Sequence, residues 1–131
     1  MSGYRTALSR ARGLGSAKTG VEHWLGERIT SIALVPLSLW GVWAVLKLAP
    51  LDYDSARGFV AQPVNAILIL LFLAVAFQHM KLGLRVVVED YIHKPGTKFA
   101  LLLLNSGVCW TAWAAASFCI LKTAFAGGGV F

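Results

Sequence analysis

Apolar residues in this chain fall into three blocks separated by short polar stretches, and the blocks are too long to be the buried stripes of a soluble domain. The first runs from Ile29 to Leu48, about the 20 residues an α-helix needs to cross roughly 30 Å of hydrocarbon. The third, from Phe99 to Leu121, is longer than required and has room to tilt. The middle block is unbroken only from Ala66 to Phe77, too short to cross alone. To span, its helix must continue through Gln78, His79, Lys81 and Arg85 to Val88. The pattern predicts an all-α integral membrane protein with spans at about 29–48, 64–90 and 99–123. A basic segment, 1–28, precedes this three-helix domain (29–125), and a flexible tail, 126–131, follows it.

Composition agrees with that pattern and charge gives it a direction. Of 131 residues, 57% are hydrophobic and 14% charged, more apolar material than one soluble domain of this size can enclose. Nine basic residues flank one side of the spans: Arg5, Arg10, Arg12, Lys18 and Arg28 before the first, and Lys81, Arg85, Lys94 and Lys98 around the second connection. Only Lys47, Arg57 and Lys122 fall on the other side. The positive-inside rule therefore places the N-terminus and second connection on the cytoplasmic or matrix side and the C-terminus opposite. Topology accounts for the net charge of +6. No dense basic cluster points to nucleic acid. The first twenty residues hold Arg, Ser and Gly but no acid, which fits a cytoplasmic tail of a bacterial inner-membrane protein or, alternatively, a mitochondrial transit segment.

Several landmarks have ordinary explanations. Cys109 and Cys119 lie ten residues apart on one helix, a rise of roughly 15 Å, whereas a disulfide needs Cα atoms within about 7 Å. Without a Cys-x-x-Cys-His run, covalent haem attachment is excluded. Trp24 reads as an interfacial anchor. The pairs Trp40 with Trp43, and Trp110 with Trp113, read as packing residues at i, i+3, with flanking a cofactor the alternative for Trp110 and Trp113 near mid-depth. Ala112, Ala115, Ala116 and Cys119 give the third span a face open to close approach. His23 and His93 sit in polar segments and read as solvated or loop-contact residues.

His79 is different, because an imidazole at bilayer depth is costly and functional by default. Gly83 lies one turn further on the same face, where a missing side chain would let a flat macrocycle approach the backbone. Asp90 is eleven residues on, three turns plus about 20°, so it shares the stripe at roughly 16 Å along the axis. Lys81 and Arg85 project about 200° and 240° around the helix from His79. Snorkelling to headgroups, or contact with a partner protein, is the role expected of them. A neutral imidazole can give Nε2 to haem iron while Nδ1–H bonds a carbonyl, here expected to be that of Val75. Periodicity leaves this role and that of a structural histidine between helices both open. A bis-histidine haem would need its second ligand from another chain, since neither other span contains a histidine.

The run His79-x3-Gly83-x6-Asp90-Tyr91 at the end of the second of three spans resembles the hydrophobic membrane-anchor subunit, the D subunit, of succinate dehydrogenase, respiratory complex II. Glu27-Arg28-Ile29-Thr30-Ser31-Ile32, at the start of the first span, and His23-Trp24 before it strengthen the likeness, which extends from about His23 to Phe125. The resemblance implies that His79 is an axial ligand to haem b, shared with the C anchor subunit. It implies that Tyr91 and Asp90 belong to the ubiquinone site and that Arg28 serves a haem propionate or the quinone site. Flavoprotein and iron-sulfur subunits would dock on the positive face, linking the tricarboxylic acid cycle to electron transport. Glu89 beside Asp90 departs from the pattern and adds a second negative charge. Two rival readings are the haem-binding anchor of a fumarate reductase and a non-catalytic membrane scaffold in which His79 only packs.

Overall fold

The computed structural model describes residues 6–8 and 20–126. Among the described residues four helices follow one another: α1 (Gly20–Leu48), α2 (Tyr53–Ala61), α3 (Pro63–Tyr91) and α4 (Pro95–Ala126). Three of them, α1, α3 and α4, are long and apolar enough to cross a membrane. The described residues form no strand.

Each helix outruns its apolar block. α1 begins nine residues before Ile29, because nothing between Gly20 and Arg28 breaks a helix and Glu22 in the first turn suits the positive end of the helix dipole. The boundary expected at residue 28 is thus crossed by continuous helix. Arg5, Arg10, Arg12 and Lys18 of the basic segment, and residues 127–131 of the tail, lie outside the described residues. Pro63 and Pro95 each stand at the first position of a helix, where the missing N–H costs nothing.

The short helix α2 was not expected from the hydropathy pattern. Its Phe59 ring packs against Trp43 of α1 at 6.2 Å between centroids. Asn65, buried in the first turns of α3, donates its amide to the Phe59 carbonyl at 2.8 Å and to Gln62 Oε1 at 3.2 Å. These bonds hold the connection against the bundle.

Helix α3 is central and packs against both α1 and α4. On α1 the residues Gly26, Thr30, Ala33, Leu37 and Ala44 fall within about 60° of one another around the axis, and Leu37 and Ala44 are buried. On α4 the matching stripe carries Asn105 and the buried Cys109. Asn105 donates to the Lys81 carbonyl of α3 at 3.0 Å and accepts from Cys109 Sγ at 3.4 Å. Cys109 and Cys119 are both free thiols, as their spacing requires. The core is thin for the chain's size. Large apolar side chains such as Ile32 (72% exposed), Leu39 (70%) and Leu46 (69%) face outward, which suits hydrocarbon or the apolar surface of another chain.

Candidate functional site: a histidine held between two spans

His79 reaches the space between α1 and α3 because α1 presents almost no bulk there. A Cβ built on Gly26 would stand 3.4 Å from Leu82 Cδ1 of α3, an ordinary contact, so the two helices run close together here. One turn beyond, the Thr30 hydroxyl lies 2.9 Å from His79 Nδ1. The same hydroxyl lies 2.8 Å from the Gly26 carbonyl and 3.1 Å from that of Glu27. A hydroxyl carries one proton and two lone pairs. With its proton directed at the carbonyls of its own helix, Oγ1 accepts from the imidazole, so Nδ1 carries the hydrogen. Nε2 then keeps its lone pair, and it makes no hydrogen bond to any described residue. The Val75 carbonyl expected as the Nδ1 acceptor is not used. In an α-helix that carbonyl already receives the His79 backbone N–H, and a β-branched hydroxyl on the facing helix takes the ring instead.

The other expected residues are placed as follows. Beside Gly83 there is open space: apart from its chain neighbours and the local backbone of α3, no described atom lies within 4 Å of a Cβ added there. Asp90 and Tyr91 are exposed at the last turn of α3, Tyr91 at 76%. Glu89 pairs with Arg85, Nε to Oε1 at 2.8 Å, so its charge is compensated along its own helix. Its backbone carbonyl also accepts from Lys98 Nζ at 3.0 Å, which closes the α3–α4 connection. Arg28 stands about 200° around α1 from Thr30, with its guanidinium 5.6 Å from the Trp24 ring centroid. The structure therefore does not bring Arg28 together with His79. His23 departs from the solvated expectation. It lies within α1, half-buried, its Nδ1 3.9 Å from Glu27 Oε1 and its Nε2 buried without a partner. His93 is exposed in the connection, as anticipated.

This arrangement offers an imidazole with one nitrogen free within a span, open backbone one turn away, and a phenol beside a carboxylate near the end of the same helix. Residues 2–118 match the model of the succinate dehydrogenase/fumarate reductase transmembrane subunit family. The chain belongs to that family.

Curated relatives agree. The chain is 38% identical over 89 residues to the succinate dehydrogenase hydrophobic membrane anchor subunit of Rickettsia bellii, covering 68% of this chain and 71% of that one. It is 30% identical over 107 residues to the subunit of the same name from Rickettsia conorii, covering 81% and 85%. A third, from Paracoccus denitrificans, is 27% identical over 119 residues, covering 91% and 92%. A membrane-anchor role within an oxidoreductase complex follows from this membership, as do partner subunits.

Thr30 is the residue whose part in the site was missed. It had been noted only as one position of the stretch resembling the family's first span. The available signal was its place on the small-residue face of α1, one turn from Gly26, but which α3 residue it meets is decided by how the two helices are rotated against each other.

Proposed function

We propose that this chain is the haem- and quinone-binding half of a succinate dehydrogenase membrane anchor. The observation that carries the reading is the Thr30 hydroxyl at 2.9 Å from His79 Nδ1, which leaves Nε2 as a free donor. Nearly every metal-bound histidine is oriented by such a bond on its other nitrogen, and the open space beside Gly83 fits a flat ring drawn up to the helix.

In this reading His79 Nε2 would hold the iron of haem b, together with a histidine of the C anchor subunit. When bound, haem b supplies a one-electron carrier within the membrane. Tyr91 donates its phenolic hydrogen to a carbonyl oxygen of ubiquinone. Asp90, exposed beside it, positions that end of the quinone and exchanges protons with water, which the two-proton reduction to quinol requires. Arg28, exposed on the opposite face of α1 from Thr30 and so apart from His79, contributes positive charge toward the quinone site. The iron-sulfur and flavoprotein subunits dock on the basic side, which faces the cytoplasm of a bacterial inner membrane. Succinate oxidation is favoured over fumarate reduction because the named relatives are succinate dehydrogenase subunits.

His79→Ala tests the reading directly. The purified complex should keep its subunits and three inserted spans yet lose or alter the low-spin haem b spectrum, since an iron bond is removed rather than an apolar face. An unchanged spectrum in the assembled variant refutes the assignment.

A further inference from the structure

On the side of α3 away from His79, a groove runs between α3 and α4. Its deeper half is a cavity of about 290 Å³ walled by Ala74, Phe77, Trp110 and Trp113. Its shallower half, also about 290 Å³, is lined by Lys81, Arg85 and Ser106. Lys81 borders both halves, so the two cavities are neighbours along one helix face.

Three features define what fits. The first is unspent donor capacity. Among the described residues Lys81 has no carboxylate partner, and its ammonium lies 5.0 Å from the Trp110 ring centroid with N–H groups to spare. Among the described residues Arg85 meets Glu89 through Nε alone, which leaves its terminal nitrogens unpaired, and the Ser106 hydroxyl has no partner. The second is polarity, because these cations sit at one end while the other end is mostly aromatic and aliphatic, with Gln78 its one amide side chain. The third is length. Arg85 to Ala74 is eleven residues, about 16 Å of helix, which is half of a hydrocarbon core of roughly 30 Å.

From these we infer that the groove binds an anionic phospholipid, with its phosphate between Lys81 and Arg85 and an acyl chain lying along Phe77, Trp110 and Trp113. Basic pockets between transmembrane helices select anionic headgroups in this way. A lipid of one leaflet supplies charge and chain in a single molecule, over the depth that the groove covers. An acidic protein segment would satisfy the cations but leave the aromatic half at hydrocarbon depth unfilled. The inference does not depend on haem or quinone binding at the opposite face.

The test uses the whole purified complex, stripped of lipid in detergent and then offered dioleoylphosphatidylglycerol, dioleoylphosphatidylcholine or inorganic phosphate. Bound lipid is counted by native mass spectrometry. Phosphatidylglycerol should occupy one more site than phosphatidylcholine, and millimolar phosphate should not displace it. Each cation should account for about fivefold in affinity, so Lys81→Gln with Arg85→Gln should weaken that site about 25-fold. Ala74→Phe, which narrows the chain-binding half and leaves both cations, should also empty it. Equal phosphatidylglycerol binding in the double variant overturns the proposal, as does equal occupancy by phosphatidylcholine. Displacement by inorganic phosphate, or loss of a subunit from the double variant with lipid binding unchanged, assigns the cations to another occupant and overturns it too.

Discussion

Replacing Thr30 with valine keeps the shape of the side chain and removes only the oxygen that meets His79 Nδ1 at 2.9 Å. The imidazole N–H would then face a methyl group in a half-buried position. Leaving such a donor unpaired costs about 1–3 kcal/mol. Loss of an orienting partner behind a metal ligand typically weakens metal affinity 10- to 100-fold, which is about 1.4–2.7 kcal/mol, so two independent routes give the same scale. Thr30→Val should therefore release haem to an excess scavenger 10- to 100-fold more readily while subunit content is unchanged. The midpoint potential should move positive, because an imidazole without its Nδ1 acceptor is a poorer donor to ferric iron. Thr30→Ser restores the oxygen with a smaller side chain and should recover most of both properties. Retention, spectrum and potential all at wild-type values in Thr30→Val would show that the hydroxyl does not orient the ligand. Failure of Thr30→Ser to rescue would mean that packing of the methyl group, not the hydrogen bond, matters at this position.

Tyr91→Phe should lower succinate-to-ubiquinone kcat/KM roughly 5- to 150-fold, the equivalent of about 1–3 kcal/mol for a quinone oxygen left unpaired. Electron transfer from succinate to a soluble artificial acceptor should be intact, and normal quinone turnover in the variant would reduce Tyr91 to an interfacial anchor. Asp90→Asn should be as severe or worse in the same assay, since it removes both charge and proton-accepting capacity. Reporter fusions after residue 20 and near Lys94 should read cytoplasmic, and those near Asp54 and after Phe131 periplasmic; both termini on one side would refute three crossings.

The number of spans and the polar register of the middle one were legible because each is a property of a single helix. Twenty apolar residues in a row, or a histidine followed by glycine four positions on, can be read without knowing what packs where. The contact between Thr30 and His79 joins residues 49 positions apart. Nothing local encodes it, since rotating α1 by one residue would present Ile29 or Ser31 in place of Thr30. Helix α2 was hidden for another reason. Its nine residues include Asp54, Arg57 and Gly58, a stretch too polar and short to raise a hydropathy signal, and it is held by Phe59 and Asn65 through contacts with the spans it connects. Glu89 looked like an unshielded neighbour of Asp90. Its partner Arg85 lies four residues back, on the same side of the helix, a spacing visible in the sequence but outweighed there by the adjacent acid.

Consider the order in which this chain must enter its bilayer. Helix α3 carries Gln78, His79, Lys81 and Arg85 in the half that follows its apolar run, and it is the least able of the three to settle in lipid by itself. Thr30 of α1 answers the His79 ring, while Asn105 and Trp110 of α4 answer the Lys81 carbonyl and ammonium. The helix made before α3 and the helix made after it each shelter part of its polar surface. Stable insertion of α3 is therefore a joint property of all three segments, completed only when Asn105 has emerged from the ribosome. Truncation before α4 removes more than one span, because it takes away the groups that make the middle one tolerable in oil.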